Sequence, residues 1–259
     1  MKTVTAFVGS PRKRGYTYTA TRMLLDDLEL FGDVKTEMVF VTDYNLGVCI
    51  GCKTCFVRGE ECCPLNDDRD LLIEKMKSSD GVIFATPNYS FHVSAVMKKF
   101  LDRLGFVFHR PCFHGKAFTS VVVQGIYGGG GVVQYLDFVG RGLGFNVVKG
   151  SCSTALEPMT VKDRKRMEET VARQSTRFRR QLFKPAFPAP SLFRLLAFRI
   201  GRTSVNRMLG DDNRDHTYYR EHGWFDSDFY YPVKLGPFKR VAGSTFDLIA
   251  ERMYKPHAE

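Results

Sequence analysis

The sequence predicts a doubly wound α/β domain followed by a mainly helical C-terminal extension, and three observations carry that prediction. Strand-like and helix-like runs alternate from residue 1 to about 154 with short connections. Several strand-like runs are apolar on both faces, as in Val121-Val122-Val123, which suits parallel strands covered by helices. Pro185, Pro188 and Pro190 then end the alternation. Five parallel strands in the order 2-1-3-4-5 are the simplest arrangement at this size, with ligands at the C-terminal strand ends. The proline break places a domain over 1–184 and the extension over 185–259.

The predicted strands are Thr3–Val8, Val34–Val41, Gly81–Thr86, Ala117–Gln124 and Phe145–Lys149. Helical patterns fall near Thr17–Leu30, Asp68–Lys77, Val93–Phe106 and Gly131–Leu143, with a fifth from Val161 to about Phe183. In the extension, Leu192–Leu209 reads as a basic amphipathic helix and Gly243–Tyr254 as a last one. Between them aromatics crowd together: Tyr218, Tyr219, Trp224, Phe225, Phe229, Tyr230 and Tyr231. The extension reads as a helical subdomain packed on the core or on a second subunit.

Composition narrows the function classes. A hydrophobic fraction of 44% over 259 residues excludes a wholly disordered chain. No apolar run reaches the ~18 residues that span a bilayer, and a strand begins directly after Met1-Lys2 with no room for a signal peptide. The expectation is a cytoplasmic protein. The net charge of +10 is concentrated: Lys162–Arg207 holds 13 Lys or Arg against Asp163, Glu168 and Glu169. Such a bias attracts nucleic acid, anionic lipid or acidic molecules. No nucleic-acid-binding motif accompanies it, so the solvated face of helices is the favoured reading.

Three loops at predicted strand ends have unusual chemistry. The first, Ser10 to Thr17, lies between a strand and a helix and carries Arg12, Lys13 and Arg14 beside hydroxyls. The helix N-terminus offers N–H groups to an anion, with Ser10, Thr17 and Arg12 as further donors. It has neither the Gly-Lys-Ser/Thr end of a Walker loop nor the G-x-G-x-x-G of a dinucleotide fold. The second loop is Thr86-Pro87-Asn88-Tyr89-Ser90-Phe91-His92, and the third is Gly125-Ile126-Tyr127-Gly128-Gly129-Gly130-Gly131. A doubly wound sheet brings the three together. A phosphate at one end and a flat, heteroatom-rich ring at the other describes a mononucleotide such as FMN. His92, His109 and His114 adjoin these loops without metal-type pairing; capping or packing is the plainer role for His92.

Five of the seven cysteines fall between Cys49 and Cys63, and in a cytosolic chain that cluster points to metal or redox chemistry rather than disulfides. Cys49, Cys52 and Cys55 stand at x2 intervals, followed by Cys62 and Cys63. Short intervals of this kind wrap a [4Fe–4S] cubane; zinc knuckles usually pair across a longer loop, and free redox-active thiols are a third use. Cys112 and Cys152 are isolated and read as core residues.

Gly9-Ser10-Pro11-Arg12-Lys13, Thr86-Pro87-Asn88-Tyr89-Ser90-Phe91 and Met97-Lys98-Lys99-Phe100-Leu101-Asp102-Arg103 resemble the NADPH-dependent FMN reductase group of flavodoxin-like proteins. The cysteine run followed by Asp67-Asp68 resembles one branch of that group, the iron–sulfur flavoproteins. The resemblance covers residues 1 to about 150. It implies that Ser10, Arg12 and Thr17 hold the FMN phosphate, with Tyr16 standing where the family commonly has Asn and offering only its backbone N–H there. It implies that Pro87, Asn88, Tyr89, Ser90 and Phe91 line the isoalloxazine, with Gly125 and Gly128 on the other side. The branch implies Cys49, Cys52 and Cys55 as cluster ligands, with Cys62 or Cys63 the fourth.

The expected activity is an FMN-dependent transfer from NAD(P)H to a flavin, quinone or other small acceptor, in which the cofactor carries the reaction and no side chain is needed as nucleophile. The rival is an iron–sulfur electron carrier exchanging electrons with an acidic ferredoxin through the basic stretch. A third class is nucleic-acid binding. The resemblance also implies a homodimer or larger assembly.

Overall fold

The computed structural model describes residues 1–254. The chain forms two compact units: Met1–Ile50 with Leu65–Ala186, and Gly51–Pro64 with the chain from Phe187 on. The first contains β1 (Lys2–Val8), α1 (Tyr16–Glu29) and β2 (Val34–Phe40). After the second unit's insertion, where α2 (Thr54–Val57) lies, come α3 (Arg69–Ser78), β3 (Gly81–Tyr89), β4 (His92–Val93) and α4 (Ala95–Arg103). It ends with β5 (Ala117–Gln124), α5 (Gly129–Gly142), β6 (Asn146–Val147), β7 (Ser151–Thr154) and α6 (Val161–Leu182).

The sheet has the order β2-β1-β3-β5-β6, all parallel, which is the 2-1-3-4-5 path expected of a flavodoxin-like sheet. It has seven strands rather than five. The predicted fifth strand, Phe145–Lys149, holds only β6, opposite Ala117 and Phe118, and an unpredicted second piece, β7, follows opposite Val121–Gln124. Gly150 lies at the break, so close to β5 that a Cβ there would sit 2.7 Å from the Ser120 carbonyl oxygen. Its N–H donates to Asp137 Oδ1 at 3.1 Å instead of continuing the ladder. The remaining strand, β4, is a short antiparallel return on β3.

Alternation along β1 explains why helices cover both faces. Val4, Ala6 and Val8 join Leu24, Leu25 and Leu28 of α1 and Met167, Val171, Phe178 and Leu182 of α6 in one core layer. Phe7 faces the other way, stacked on Phe100 of α4 at 5.7 Å and edge-on to Phe84 at 6.0 Å. Phe84, Phe118 and Phe145 continue that aromatic layer. Gln174 of α6 is fully buried yet satisfied: its Nε2 donates to Thr119 Oγ1 and the Ser120 carbonyl, and its Oε1 accepts from Ser151.

The second unit adds α7 (Leu192–Met208), α8 (Arg214–Glu221) and α9 (Pro237–Met253). Leu195, Phe198, Tyr219, Trp224, Phe229, Tyr231 and Leu235 make its own core. Arg199, 7% exposed, is neutralised by Asp228 at 2.5 Å and Asp247 at 2.7 Å. Sequence periodicity missed α8, which Asn213 caps by accepting from the Asp215 N–H. It also started α9 too late, because Pro237 is the first-turn proline of that helix rather than a breaker. No helix among the described residues is long and apolar enough to cross a membrane.

Candidate functional site

Three loops meet at the C-terminal edge of the sheet in a cleft of about 210 Å³. It is lined by Ser10, Arg12, Gly15, Tyr16 and Thr17 from the first loop, Pro87, Asn88 and Tyr89 from the second, and Gly125 from the third. Val123, Gln124, Ala155 and Glu157 complete the wall; the first two end β5, and the others belong to a segment the sequence reading did not assign. Ser90, Phe91 and Gly128, expected to line the ring, stand outside this lining set.

Each loop is fixed by local chemistry. Gly9 must be glycine because a Cβ would lie 2.6 Å from Met97 Cβ of α4. Its carbonyl accepts from Ser94 Oγ, which also caps α4 by accepting from the Met97 N–H. Ser94 N–H in turn donates to Thr86 Oγ1 at 3.0 Å, so Ser94 and Thr86 tie the first loop to the second. Gln124 organises the third loop: its Oε1 accepts from Gly129 N–H at 2.7 Å, and its Nε2 donates to the Ile126 carbonyl and Thr154 Oγ1. Ser94 and Gln124 were not singled out from sequence, and Thr86 only as the first residue of the second loop. A hydroxyl or amide at a strand end or just before a helix was the available signal.

At one end of the cleft, Ser10 and Thr17 are buried, and Ser10 Oγ accepts the Arg12 N–H at 3.2 Å. Helix α1 begins here with Gly15 as N-cap, no side-chain cap and no acid in its first turn. Its positive end is therefore left to an anion. The exposed Arg12 meets Glu157 at 3.7 Å, a pairing weak enough to yield to a phosphate. Tyr16 does not face that anion with its side chain. Its hydroxyl accepts the Met159 N–H at 3.1 Å and holds the 155–159 segment against the cleft.

At the other end, Asn88 Nδ2 donates to the Tyr127 carbonyl at 3.0 Å, while its Oδ1 is buried with no hydrogen-bond partner. A buried acceptor left open is costly unless a ligand supplies a donor. A Cβ on Gly125 would meet no protein atom within 4 Å, leaving space on this wall. An isoalloxazine has the ring N–H and the flat shape these features fit, and FMN adds the phosphate for the first loop.

The histidines play smaller parts. His92 is exposed with its ring 4.6 Å from Tyr135, and the cap of α4 is Ser94, not His92. Neither His109 nor His114 lines the cleft. Cys112 and Cys152 are half-buried rather than core residues, and burial pushes the Cys152 thiol up to about 11.

Cys49 and Cys52 are exposed thiols, and Cys55, Cys62 and Cys63 are half-buried, all free of disulfides. Thiols of this kind have the chemistry of iron–sulfur ligands. Among the described residues, however, no group of three or more His, Cys, Asp and Glu is arranged to hold a metal ion. Asp67-Asp68, read beside the cysteines, has a structural role. Asp67 makes a two-point ion pair with Arg103, both bonds at 3.0 Å, and accepts the N–H groups of Gly47 and Arg69. Burial pushes the Asp67 carboxyl up, but Arg103 and the two N–H donors outweigh it and leave the group below its ordinary range. Asp68 exchanges hydrogen bonds with Asn45, accepting at 2.7 Å and donating at 2.9 Å.

Comparison with known proteins agrees with this geometry. The model of the NADPH-dependent FMN reductase family matches residues 2–156. An iron-sulfur flavoprotein of Archaeoglobus fulgidus is 37% identical over 163 residues, covering 58% of this chain and 71% of that protein. One of Methanocaldococcus jannaschii is 40% identical over 95 residues, 37% of this chain and 48% of its own length. One of Clostridioides difficile is 36% identical over 115 residues, 42% and 51%. The chain thus spans about half the length of the last two. Among solved structures, RosB with bound 8-demethyl-8-formylriboflavin-5'-phosphate superposes with a TM-score of 0.59 at 12% identity, over 92% of each chain. An NADH:FMN oxidoreductase in its apo form gives 0.51 at 18% identity, over 68% of this chain and 89% of that one. At these identities the two structures show the fold.

Proposed function

The chain belongs to the NADPH-dependent FMN reductase family, and from that premise we propose that its cleft binds FMN and passes electrons from NAD(P)H to a flavin, a quinone or another small acceptor. The observation that carries the reading is the buried, unpartnered Asn88 Oδ1 in a cleft whose other end is the uncapped start of α1. Bound FMN supplies the redox chemistry: NAD(P)H and one proton enter, and NAD(P)⁺ and the two-electron-reduced acceptor leave.

The chain's own residues bind and orient. Ser10, Arg12, Thr17 and the first N–H groups of α1 hold the phosphate. Asn88 Oδ1 accepts from the ring, Pro87 and Tyr89 set one wall, and Gly125 with Val123 sets the other. Tyr16 keeps the 155–159 segment in place through Met159. No side chain is needed as nucleophile or obligatory acid. The test is anaerobic: the FMN-loaded protein is mixed with NADPH, then with a quinone. Loss of the flavin's visible absorbance followed by its return supports the reading. Protein that binds no FMN, or whose flavin NADH and NADPH leave oxidised, contradicts it.

A second reading follows from the cysteine spacing and from relatives named as iron-sulfur flavoproteins. In it, Cys49, Cys52, Cys55 and either Cys62 or Cys63 would hold a [4Fe–4S] cluster, and a ferredoxin is the partner. Iron and sulfide analysis of protein purified without oxygen decides it, and absence of both removes this reading. The proposed setting for either is a cytoplasmic homodimer or larger assembly, checked by sedimentation.

A further inference from the structure

The segment that follows β7 is pinned to the cleft at two points. At the first, the Ala155 N–H donates to the Gln124 carbonyl at 2.9 Å. At the second, the Met159 N–H donates to the Tyr16 hydroxyl at 3.1 Å. Gln124 and Tyr16 are both cleft residues, and so is Glu157, midway between the two anchors in sequence. The backbone of Glu157 is therefore held at the cleft by bonds that its own side chain does not make.

A carboxylate is an unexpected group in a site for a phosphate. Among the described residues that line the cleft, Arg12 carries the one positive charge and Glu157 the one negative charge. The two meet at 3.7 Å, with side chains 70% and 77% exposed. A pair this exposed adds little to the stability of the fold, and a side chain this exposed is not set by packing. Its consequence falls on the ligand instead. Glu157 is the partner of Arg12 in the empty cleft, and a phosphate has to take its place at the guanidinium. The uncapped start of α1 draws the anion in, while a like charge at the same mouth works against it.

We propose that Glu157 competes with the phosphate of FMN for Arg12 and so sets how tightly, and for how long, the cleft holds the nucleotide. This rests on the FMN reading and adds to it a residue that opposes binding at the phosphate end. The effect is selective, because riboflavin lacks the phosphate and has nothing for the carboxylate to repel. Glu157 moves no electron or proton in this role. It is an affinity-determining residue whose charge is what counts.

The experiment titrates flavin-free wild type, E157Q and E157D with FMN and with riboflavin, followed by flavin fluorescence. E157Q is expected to bind FMN roughly fivefold more tightly, with slower release in stopped flow, and to bind riboflavin as wild type does. E157D keeps the charge and is expected to stay close to wild type for both flavins. The gain in E157Q is expected to shrink at about 0.5 M salt, where screening shortens the reach of a charge to roughly 4 Å. An unchanged FMN affinity in E157Q overturns the proposal, as does an equal gain for FMN and riboflavin. Weaker binding of both flavins in E157Q overturns it too, and makes the carboxylate an acceptor for the sugar-alcohol hydroxyls that both carry. Failure of wild type to bind FMN is a different result: it contradicts the reading beneath.

Discussion

Replacing Asp67 with alanine removes a carboxylate that holds three groups through four hydrogen bonds. Arg103 engages it through two hydrogen bonds, and the N–H groups of Gly47 and Arg69 complete its shell. Both charged side chains are only 4% exposed, so water cannot replace what is lost. Breaking a buried pair of this kind from one side costs about 3–5 kcal/mol. At ~3 °C per kcal/mol for a chain of this size, the midpoint of thermal unfolding should drop by about 9–15 °C. Arg103→Ala should behave similarly, and the double variant should lose less than the sum of the two. The pH dependence has a definite sign. A folded carboxyl held below its ordinary value contributes fully above about pH 4 and loses its contribution as pH falls through the folded value. The gap between wild type and Asp67→Ala should therefore be constant from neutrality to mild acid and narrow below. Circular dichroism melts across pH measure it. A loss below about 1 kcal/mol, or a gap that widens in acid, refutes the reasoning.

Gly9→Ala should lower stability by about 1–3 kcal/mol and weaken FMN binding, because its Cβ must displace Met97 of α4; urea unfolding and a flavin titration report both. Tyr16→Phe removes the acceptor for Met159 N–H, at about 1 kcal/mol and about a fivefold loss of FMN affinity, read by the same titration. Arg199→Ala removes the partner of the half-exposed Asp228 and leaves Asp247 to Arg202 at 2.8 Å, and should cost about 1–3 kcal/mol, seen as a Trp224 fluorescence transition at lower denaturant. In a timed iodoacetamide reaction at neutral pH, Cys49 and Cys52 should be labelled well before Cys152, whose thiol burial has pushed up to about 11; peptide mapping gives the order.

What the sequence made legible was set by periodicity and by position relative to strand ends. The two-faced apolar runs gave the parallel sheet and its order, since burial on both faces leaves no other use for Val121-Val122-Val123. The break of the last strand was illegible. It depends on how closely Gly150 approaches Ser120, a tertiary contact with no local signal. Likewise α8 is short and polar, so its cap at Asn213 speaks more clearly than its pattern.

Within the cleft, the grouping of Ser10, Arg12 and Thr17 near the start of α1 was readable because these residues bear their chemistry on their side chains. The side-chain role of Tyr16 was not, since its partner Met159 is distant in sequence. Asp67 and Arg103 stood out as motif residues, but only their mutual bonding separates a structural clamp from a catalytic pair. Phe91, which the family resemblance puts on the flavin wall, is not among the residues that line the cleft.

The central claim is that the first loop and the start of α1 hold the phosphate of FMN. Titrating the protein with FMN and with riboflavin, which differ only in that phosphate, tests it by flavin fluorescence. The phosphate contacts of Ser10, Arg12 and the helix terminus should favour FMN by about a hundredfold, or ~3 kcal/mol, and Arg12→Ala should narrow the gap. Riboflavin binding as tightly as FMN would contradict the account.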